Sequence, residues 1–328
     1  MTIESLSRLT ERYSKFEKEY KHIICYVYGL LSAVFLTTTN FLVKALPNLT
    51  SSETLFYRSL LLFYLTKVMM DTNKMEFYFP DIKVNRLLFS RGVLGCLGMS
   101  LNYYGVKLVP LSEASVIAQT SPAIIGIFAM IFLKERYTMS QFLGMLFCFC
   151  GVIFVVKPDF LFHLDEEQRE EKNNKMIGII ALLLSTLFVA STQILVKKIA
   201  SKTNEGITTL YYAAIASMLS PLISLEQGFN PFSFNEFLVL LVLGGCSFFA
   251  QILRNKAYIL GNPGKISIMS YFGILYSIFI DVYILGSDLD FYSMIGAIFI
   301  FSSLFIFLYK TIQQENKKKE ESLVKIGS

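Results

Sequence analysis

Five charged side chains stand inside long apolar runs of this sequence: Arg58, Arg91, Glu113, Arg254 and Asp281. A charge at the centre of a bilayer costs about 2.5–3.5 kcal/mol on insertion scales. Residues of this kind therefore pair, snorkel to an interface, or line a wet path. Their chemistry is that of binding and gating. No nucleophile–base pair, HExxH, P-loop GxxxxGK[ST] or paired-cysteine motif accompanies them, so neither catalysis nor ATP-driven pumping has a motif to rest on, and no metal or cofactor is expected.

Polar residues around these charges follow helical spacing. Arg91, Gly95, Gly98, Asn102 and Gly105 form one stripe, and Ser112, Ser115, Gln119, Pro122 and Gly126 form another. Gly244, Ser247, Gln251 and Arg254 form a third, and Ser270, Gly273, Ser277 and Asp281 a fourth, with Tyr271 one step around. Small residues on such stripes let helix backbones approach, so a packing seam is one reading of the glycines. An amide facing lipid is costly, which points Asn102, Gln119, Gln251 and Tyr271 towards a cavity. Pro122 supplies no N–H and pushes away the carbonyl of Ala118; Thr120 and Ser121 stand ready to hydrogen-bond there. Kink and binding site remain open for that proline. The candidate pathway is thus Asn102, Ser115, Gln119, Thr120, Pro122, Ser247, Gln251, Ser270, Tyr271 and Ser277.

The charged set supports two readings, snorkelling and gating. As gates, Arg58 pairs with Glu113 or Asp281 at one mouth, and Arg91 or Arg254 serves the other. Desolvation of Glu113 or Asp281 would also open proton coupling. Glu135, between Lys134 and Arg136, reads as an interfacial salt bridge, and His22 and His163 as interface residues.

The elements that must position these groups are membrane helices. The chain has 328 residues, 54% of them hydrophobic and only 17% charged, with a mean hydropathy of +0.52, whereas soluble domains carry about 25% charge. Ten apolar runs, near 23–43, 53–70, 86–107, 111–133, 140–157, 175–197, 206–226, 236–257, 263–285 and 290–310, are long enough to span. With both termini cytosolic, 21 Lys and Arg fall inside and 6 outside, as the positive-inside rule requires. Basic residues spread over many loops exclude a nucleic-acid patch. The five cysteines lie in or beside apolar runs and read as free thiols. Residues 1–21 carry apolar side chains at helical spacing, either an amphipathic surface helix or a polar leader.

The acidic stretch 158–174 divides the spans into two sets of five. At an offset of 152, Gly92 falls on Gly244, Ser115 on Ser267 and Gly144 on Gly296; at 153, Asn40-x-x-Val43-Lys44 falls on Gln193-x-x-Val196-Lys197. Because five is odd, the second set must enter the membrane from the opposite face, the arrangement of many secondary transporters.

With Arg91-Gly92, Asn102-Tyr103-Tyr104, Leu108 to Ala114, Thr120-Ser121-Pro122, Leu133-Lys134-Glu135, Gly144 and Gly151 in order, and Arg58 before them, the sequence resembles the EamA-like drug/metabolite transporter superfamily. Within it, the resemblance is nearest to the solute carrier family 35 branch, related to nucleotide-sugar carriers. The second half keeps Ala257-Tyr258, Gly261, Tyr271 and Gly296, but Ser287 stands where the family has a glutamate. The resemblance implies ten helices in two inverted bundles around a cavity, and carrier-mediated movement of a small organic solute.

The expected protein is therefore an all-α integral membrane protein of ten transmembrane helices in two inverted five-helix repeats, both termini cytosolic. Its expected parts are a cytosolic segment 1–22, a first repeat 23–157, an acidic extracytosolic loop 158–174, a second repeat 175–310 and a basic tail 311–328. Its expected partners are a small anionic or zwitterionic solute and the lipid bilayer, with no nucleic acid; a homodimer is neither indicated nor excluded. The rival reading is a non-transporting membrane adaptor that recruits partners or anionic lipid through Lys317-Lys318-Lys319. Neither terminus carries a retention or lipidation signal, so plasma membrane and endomembrane are not distinguished.

Overall fold

The computed structural model describes residues 21–75, 81–118, 120–134, 169–224 and 229–284, with scattered positions in 143–150 and 286–313. The expected fifth and tenth spans, the N-terminal segment and the basic tail lie largely or wholly outside the described residues. Within them the chain is helical: α1 (Lys21–Lys44), α2 (Ser51–Thr72), α3 (Ile82–Leu108), α4 (Leu111–Ala118), α5 (Ser121–Leu133), α6 (Arg169–Ile199), α7 (Glu205–Ser224), α8 (Phe234–Leu260), α9 (Pro263–Ser267), a 3₁₀ turn (Ile268–Tyr271) and α10 (Phe272–Tyr283). Ile23–Lys44, Asn174–Ile199 and Phe234–Leu260 are apolar and long enough to cross a membrane by composition alone.

Two boundaries differ from expectation. The helix of the sixth span begins at Arg169, inside the stretch read as an acidic loop, because Glu and Lys propagate a helix as readily as they populate a loop. The fourth and ninth spans are each broken. Span four stops at Ala118 and resumes at Ser121, while span nine passes through the 3₁₀ turn at Ile268–Tyr271. The α-helical segments stop 149 residues apart, at Ala118 and Ser267, and resume 151 apart, at Ser121 and Phe272.

Other features recur at nearly the same spacing. Helices α3 and α8 both have 27 residues and start 152 apart, and α2 and α7 start 154 apart. Thr50 caps α2 in a capping box with Glu53, and Asn204 accepts from the Ile207 N–H at the start of α7. The contacts recur as well. The packing of α3 on α6 is matched by α8 on α1, that of α3 on α7 by α8 on α2, and that of α4 on α10 by α9 on α5. Two glycines sit at the tightest of these crossings. A Cβ on Gly92 would meet Ile215 at 2.3 Å, and one on Gly244 would meet Leu61 at 2.3 Å.

Each set also has a lysine that satisfies a helix C-terminus, where carbonyls lack intrahelical partners. Lys44 Nζ donates to the Val109 carbonyl after α3 (3.3 Å), and Lys197 Nζ to the Gly261 carbonyl after α8 (2.5 Å). These lysines mark opposite ends of the bundle, called below the Lys44 end and the Lys197 end. At the Lys44 end, Asn48 Nδ2 donates to Glu236 Oε1 (2.8 Å), which occupies the amide of the Asn48-Leu49-Thr50 sequon.

Candidate functional site

The site follows from the broken spans. Pro122 falls in the first turn of α5, where its missing N–H leaves no hydrogen bond unmade. The carbonyls stranded before it are met by side chains. Thr120 Oγ1 donates to the Ile117 carbonyl (2.8 Å), and Ser121 Oγ donates to the Ala118 carbonyl. In span nine no proline acts, and Ser270 Oγ donates to the Ser267 carbonyl (2.5 Å).

Between the breaks lies a narrow cavity of about 70 Å³. Its wall takes Gly29, Ser32, Leu36 and Asn40 from α1, Met99 and Asn102 from α3, and Ala118, Ser121 and Ile125 from the fourth span. Opposite stand Ser185, Thr186 and Val189 of α6, Arg254 and Tyr258 of α8, and Ile266, Ser267 and Ser270 of the ninth span. Ligand pockets typically hold about 300–1,000 Å³, so this space is smaller than an ordinary ligand pocket.

An apolar cluster lies on each side of the cavity. Towards the Lys44 end, Val106, Val109, Leu111, Ala114, Ile117, Leu182 and Ile280 form one buried cluster. Towards the Lys197 end, Ile24, Cys25, Tyr28, Val196, Ala257, Tyr258 and Ile266 form another. Val106 and Ala114 of the first stand 152 residues before Tyr258 and Ile266 of the second.

Of the residues singled out in the sequence, Asn102, Ser270 and Arg254 line this cavity. Asn102 Nδ2 donates to Asn40 Oδ1 (3.0 Å), a buried amide pair. Arg254 is half-buried and makes no hydrogen bond or ion pair among the described residues. Thr120 Oγ1 comes within 3.5 Å of Thr186 Oγ1 on the wall. Ser115 Oγ is buried without a partner. Ser277 Oγ turns back to the Ile274 carbonyl (2.8 Å), and Gln251 is half-buried on α8 but not part of the wall. Gln119, and the side chains of Glu113, Pro122, Tyr271 and Asp281, lie outside the described residues. The spacing stripes passed over Ser32, Asn40, Ser185 and Thr186; the recurrence of Asn40 at Gln193 was the available signal for α1 and α6.

Arg58 and Arg91 are placed differently from the expected gates. Both are 2% exposed and neither belongs to the cavity wall. Arg58 Nε donates to Ser247 Oγ (2.7 Å) and Nη1 to Tyr212 Oη (3.1 Å). Arg91 Nη1 donates to the Thr208 carbonyl (2.9 Å) and Nη2 to Asn255 Oδ1 (3.1 Å). The Tyr212 ring stands between them, 5.9 Å from the Arg58 guanidinium and 5.3 Å from that of Arg91. The reason is packing. Helix α2 lies against α7 and α8, whereas Glu113 on α4 and Asp281 on α10 belong to the elements around α1 and α6. Among the described residues the ion pair present is Lys67–Asp71, at 3.0 Å and exposed.

Broken helices around an internal cavity are a feature of multi-pass membrane transporters. The chain belongs to the EamA-like transporter family, whose model matches it twice, over residues 23–157 and 176–309. It is 28% identical over 280 residues to the human solute carrier family 35 member G1, covering 84% of this chain and 76% of that protein. It is 24% identical over 254 residues to the pseudopaline exporter of Pseudomonas aeruginosa, with 76% and 84% covered. Identity is 24% over 306 residues to the S-adenosylmethionine uptake transporter of Rickettsia prowazekii, with 92% and 98% covered. A crystal structure at 15% identity shares the fold, with a TM-score of 0.65 over 86% of this chain and 94% of that one. The protein is an integral, multi-pass membrane protein in a lipid environment.

Straightening the fourth span tests the role of its break. Pro122→Ala restores an N–H within reach of the Ala118 carbonyl. The apparent unfolding midpoint is expected to hold or rise, by roughly 1 kcal/mol in stability, while solute exchange slows. A midpoint that falls would show that the proline serves packing alone.

Proposed function

We propose that the protein is a secondary carrier or exchanger that moves a small polar organic metabolite, anionic or zwitterionic, across a membrane by alternating access. Ten spans form two five-helix repeats of opposite orientation, with both termini cytosolic, the Lys44 end outside and the Lys197 end inside. The two apolar clusters are the gates, and the breaks in spans four and nine let each half-helix swing without dismantling the bundle.

The observation that carries this reading is the pair of breaks, one in each half of the chain, whose helices resume 151 residues apart and meet at one cavity. Matched helix contacts, matched C-terminal lysines and matched plugs support a two-fold relation between the repeats. The printed names of the human, Pseudomonas and Rickettsia relatives, a solute carrier, an exporter and an uptake transporter, support movement of a solute.

The test is counterflow in proteoliposomes against nucleotide sugars, amino acids, organic acids and nucleobases. Saturable exchange of one class, absent from empty vesicles, is expected. Folded protein that exchanges nothing on the panel would replace this reading with the adaptor.

A further inference from the structure

Four pairs of wall residues stand at the repeat spacing, and in one of them a neutral group is exchanged for a charge. Ser32 and Ser185 stand 153 apart, as do Leu36 and Val189, and each pair keeps its character. Ala118 and Ser270 stand 152 apart and differ by a hydroxyl. Asn102 and Arg254 also stand 152 apart, on helices of equal length whose starts share that offset. Here a neutral amide is exchanged for a cation.

The two residues mark opposite ends of the cavity. Asn40, the partner of Asn102, and Gly29, beside Ile266 and Met269, are 11 residues apart on α1, or about 16 Å along the axis. At the Lys44 end, Asn40 and Asn102 satisfy one another and carry no charge. At the Lys197 end, Arg254 faces a cavity bounded by an apolar plug. A guanidinium in such a setting gains most from an anion, because its donors have no charged partner among the described residues. Arg58 and Arg91 do not compete for that anion, since their donors are engaged in the buried network and neither reaches the wall.

We infer that Arg254 decides the charge selectivity of the carrier. One oxyanion of the solute, a carboxylate or a phosphate, sits on Arg254, while a neutral hydrogen-bonding group lies against the Asn40–Asn102 pair, so the solute binds in one orientation. A two-fold symmetric wall would accept it either way round; the Asn102/Arg254 exchange forbids that. This rests on the carrier reading and adds its ligand chemistry.

The experiment uses the full chain in proteoliposomes with matched charged and neutral solutes as probes. L-glutamate against L-glutamine and succinate against succinamide cover carboxylates, and glycerol 3-phosphate against glycerol covers phosphates. Wild-type protein is expected to exchange at least one anion about tenfold faster than its neutral partner. Arg254→Gln brings that ratio to about unity without shifting the unfolding midpoint. The double exchange Asn102→Arg with Arg254→Asn restores the preference, because it moves the cation to the matching position. If Arg254→Gln fails to fold, Arg254→Lys decides. Loss of the bidentate fork raises KM for the anion several-fold and leaves the neutral probe unchanged. An undiminished anion preference in Arg254→Gln, or an unchanged KM in Arg254→Lys, overturns the inference and leaves the carrier standing. Wild-type protein that exchanges panel solutes with no preference for anions also overturns the inference alone. Protein that exchanges neither these probes nor any panel solute overturns both.

Discussion

Tyr212→Ala is expected to be the most destabilising single substitution in the buried network, lowering stability by about 3–5 kcal/mol. Tyr212 is 2% exposed, so removing its ring leaves a void between α2, α3 and α7. The ring also lies against two guanidiniums, each worth up to about 2 kcal/mol when desolvated. Its hydroxyl is one of the two hydrogen-bond acceptors of Arg58. Truncation therefore takes a ring from beside two buried cations and one of its two acceptors from Arg58. Weakening the surroundings of a buried charge is costly. Tyr212→Phe separates these contributions. It keeps the ring and loses one charge-assisted hydrogen bond, about 1.5–3 kcal/mol. Equilibrium unfolding in detergent measures both variants. A Phe variant as damaged as the Ala variant would mean that the hydroxyl, not the ring, holds the two arginines.

Gly105→Leu is expected to block docking of α3 on α6. A Cβ at Gly105 would lie 2.8 Å from the Gly178 carbonyl oxygen and 2.5 Å from Leu182 Cγ. A side chain can rotate away, but a helix backbone carbonyl cannot, so α3 and α6 must separate. Overpacking of a tight interface costs about 1–3 kcal/mol and more where backbone must shift; the upper end is expected here. Gly178→Leu repeats the clash from the other helix, with Leu108 Cβ at 2.8 Å. Gly245 supplies the control. A Cβ there meets nothing within 4 Å, so Gly245→Ala is neutral or stabilising by about 0.5–1 kcal/mol, the ordinary helix gain. Yield of folded protein and unfolding midpoint read all three. Gly105→Leu behaving like Gly245→Ala would rule out the close α3–α6 crossing.

The buried arginines and the broken spans show where sequence reading succeeds and where it stops. Arg91, Gly95, Gly98, Asn102 and Gly105 do lie on one side of α3, and all five are buried. Helical periodicity places residues on a common face, and it did so correctly. It does not say which neighbour that face meets. Asn102 meets the cavity, whereas Arg91 on the same stripe meets Tyr212 and Asn255, because the helix passes from one interface to another along its length. The break at Pro122 was legible, since a missing N–H is a property of the residue. The 3₁₀ turn at Ile268–Tyr271 was not, since no residue there forbids an α-helix; its only trace in the sequence was the repeat that aligns it with the first break.

The sequence by itself determined the membrane setting, the pair of family matches, the spacing of the repeat and the common face of α3. All of these follow from hydropathy, residue geometry and order along the chain. Tertiary structure alone decided which charges face the cavity. Arg58, Arg91 and Arg254 are equivalent as cations in apolar runs. Packing across the repeats encloses the first two among tyrosine rings, hydroxyls and amides, and leaves the third on the wall. A side chain's partners come from residues more than a hundred positions away, and a helix face has no partner until another helix is laid against it.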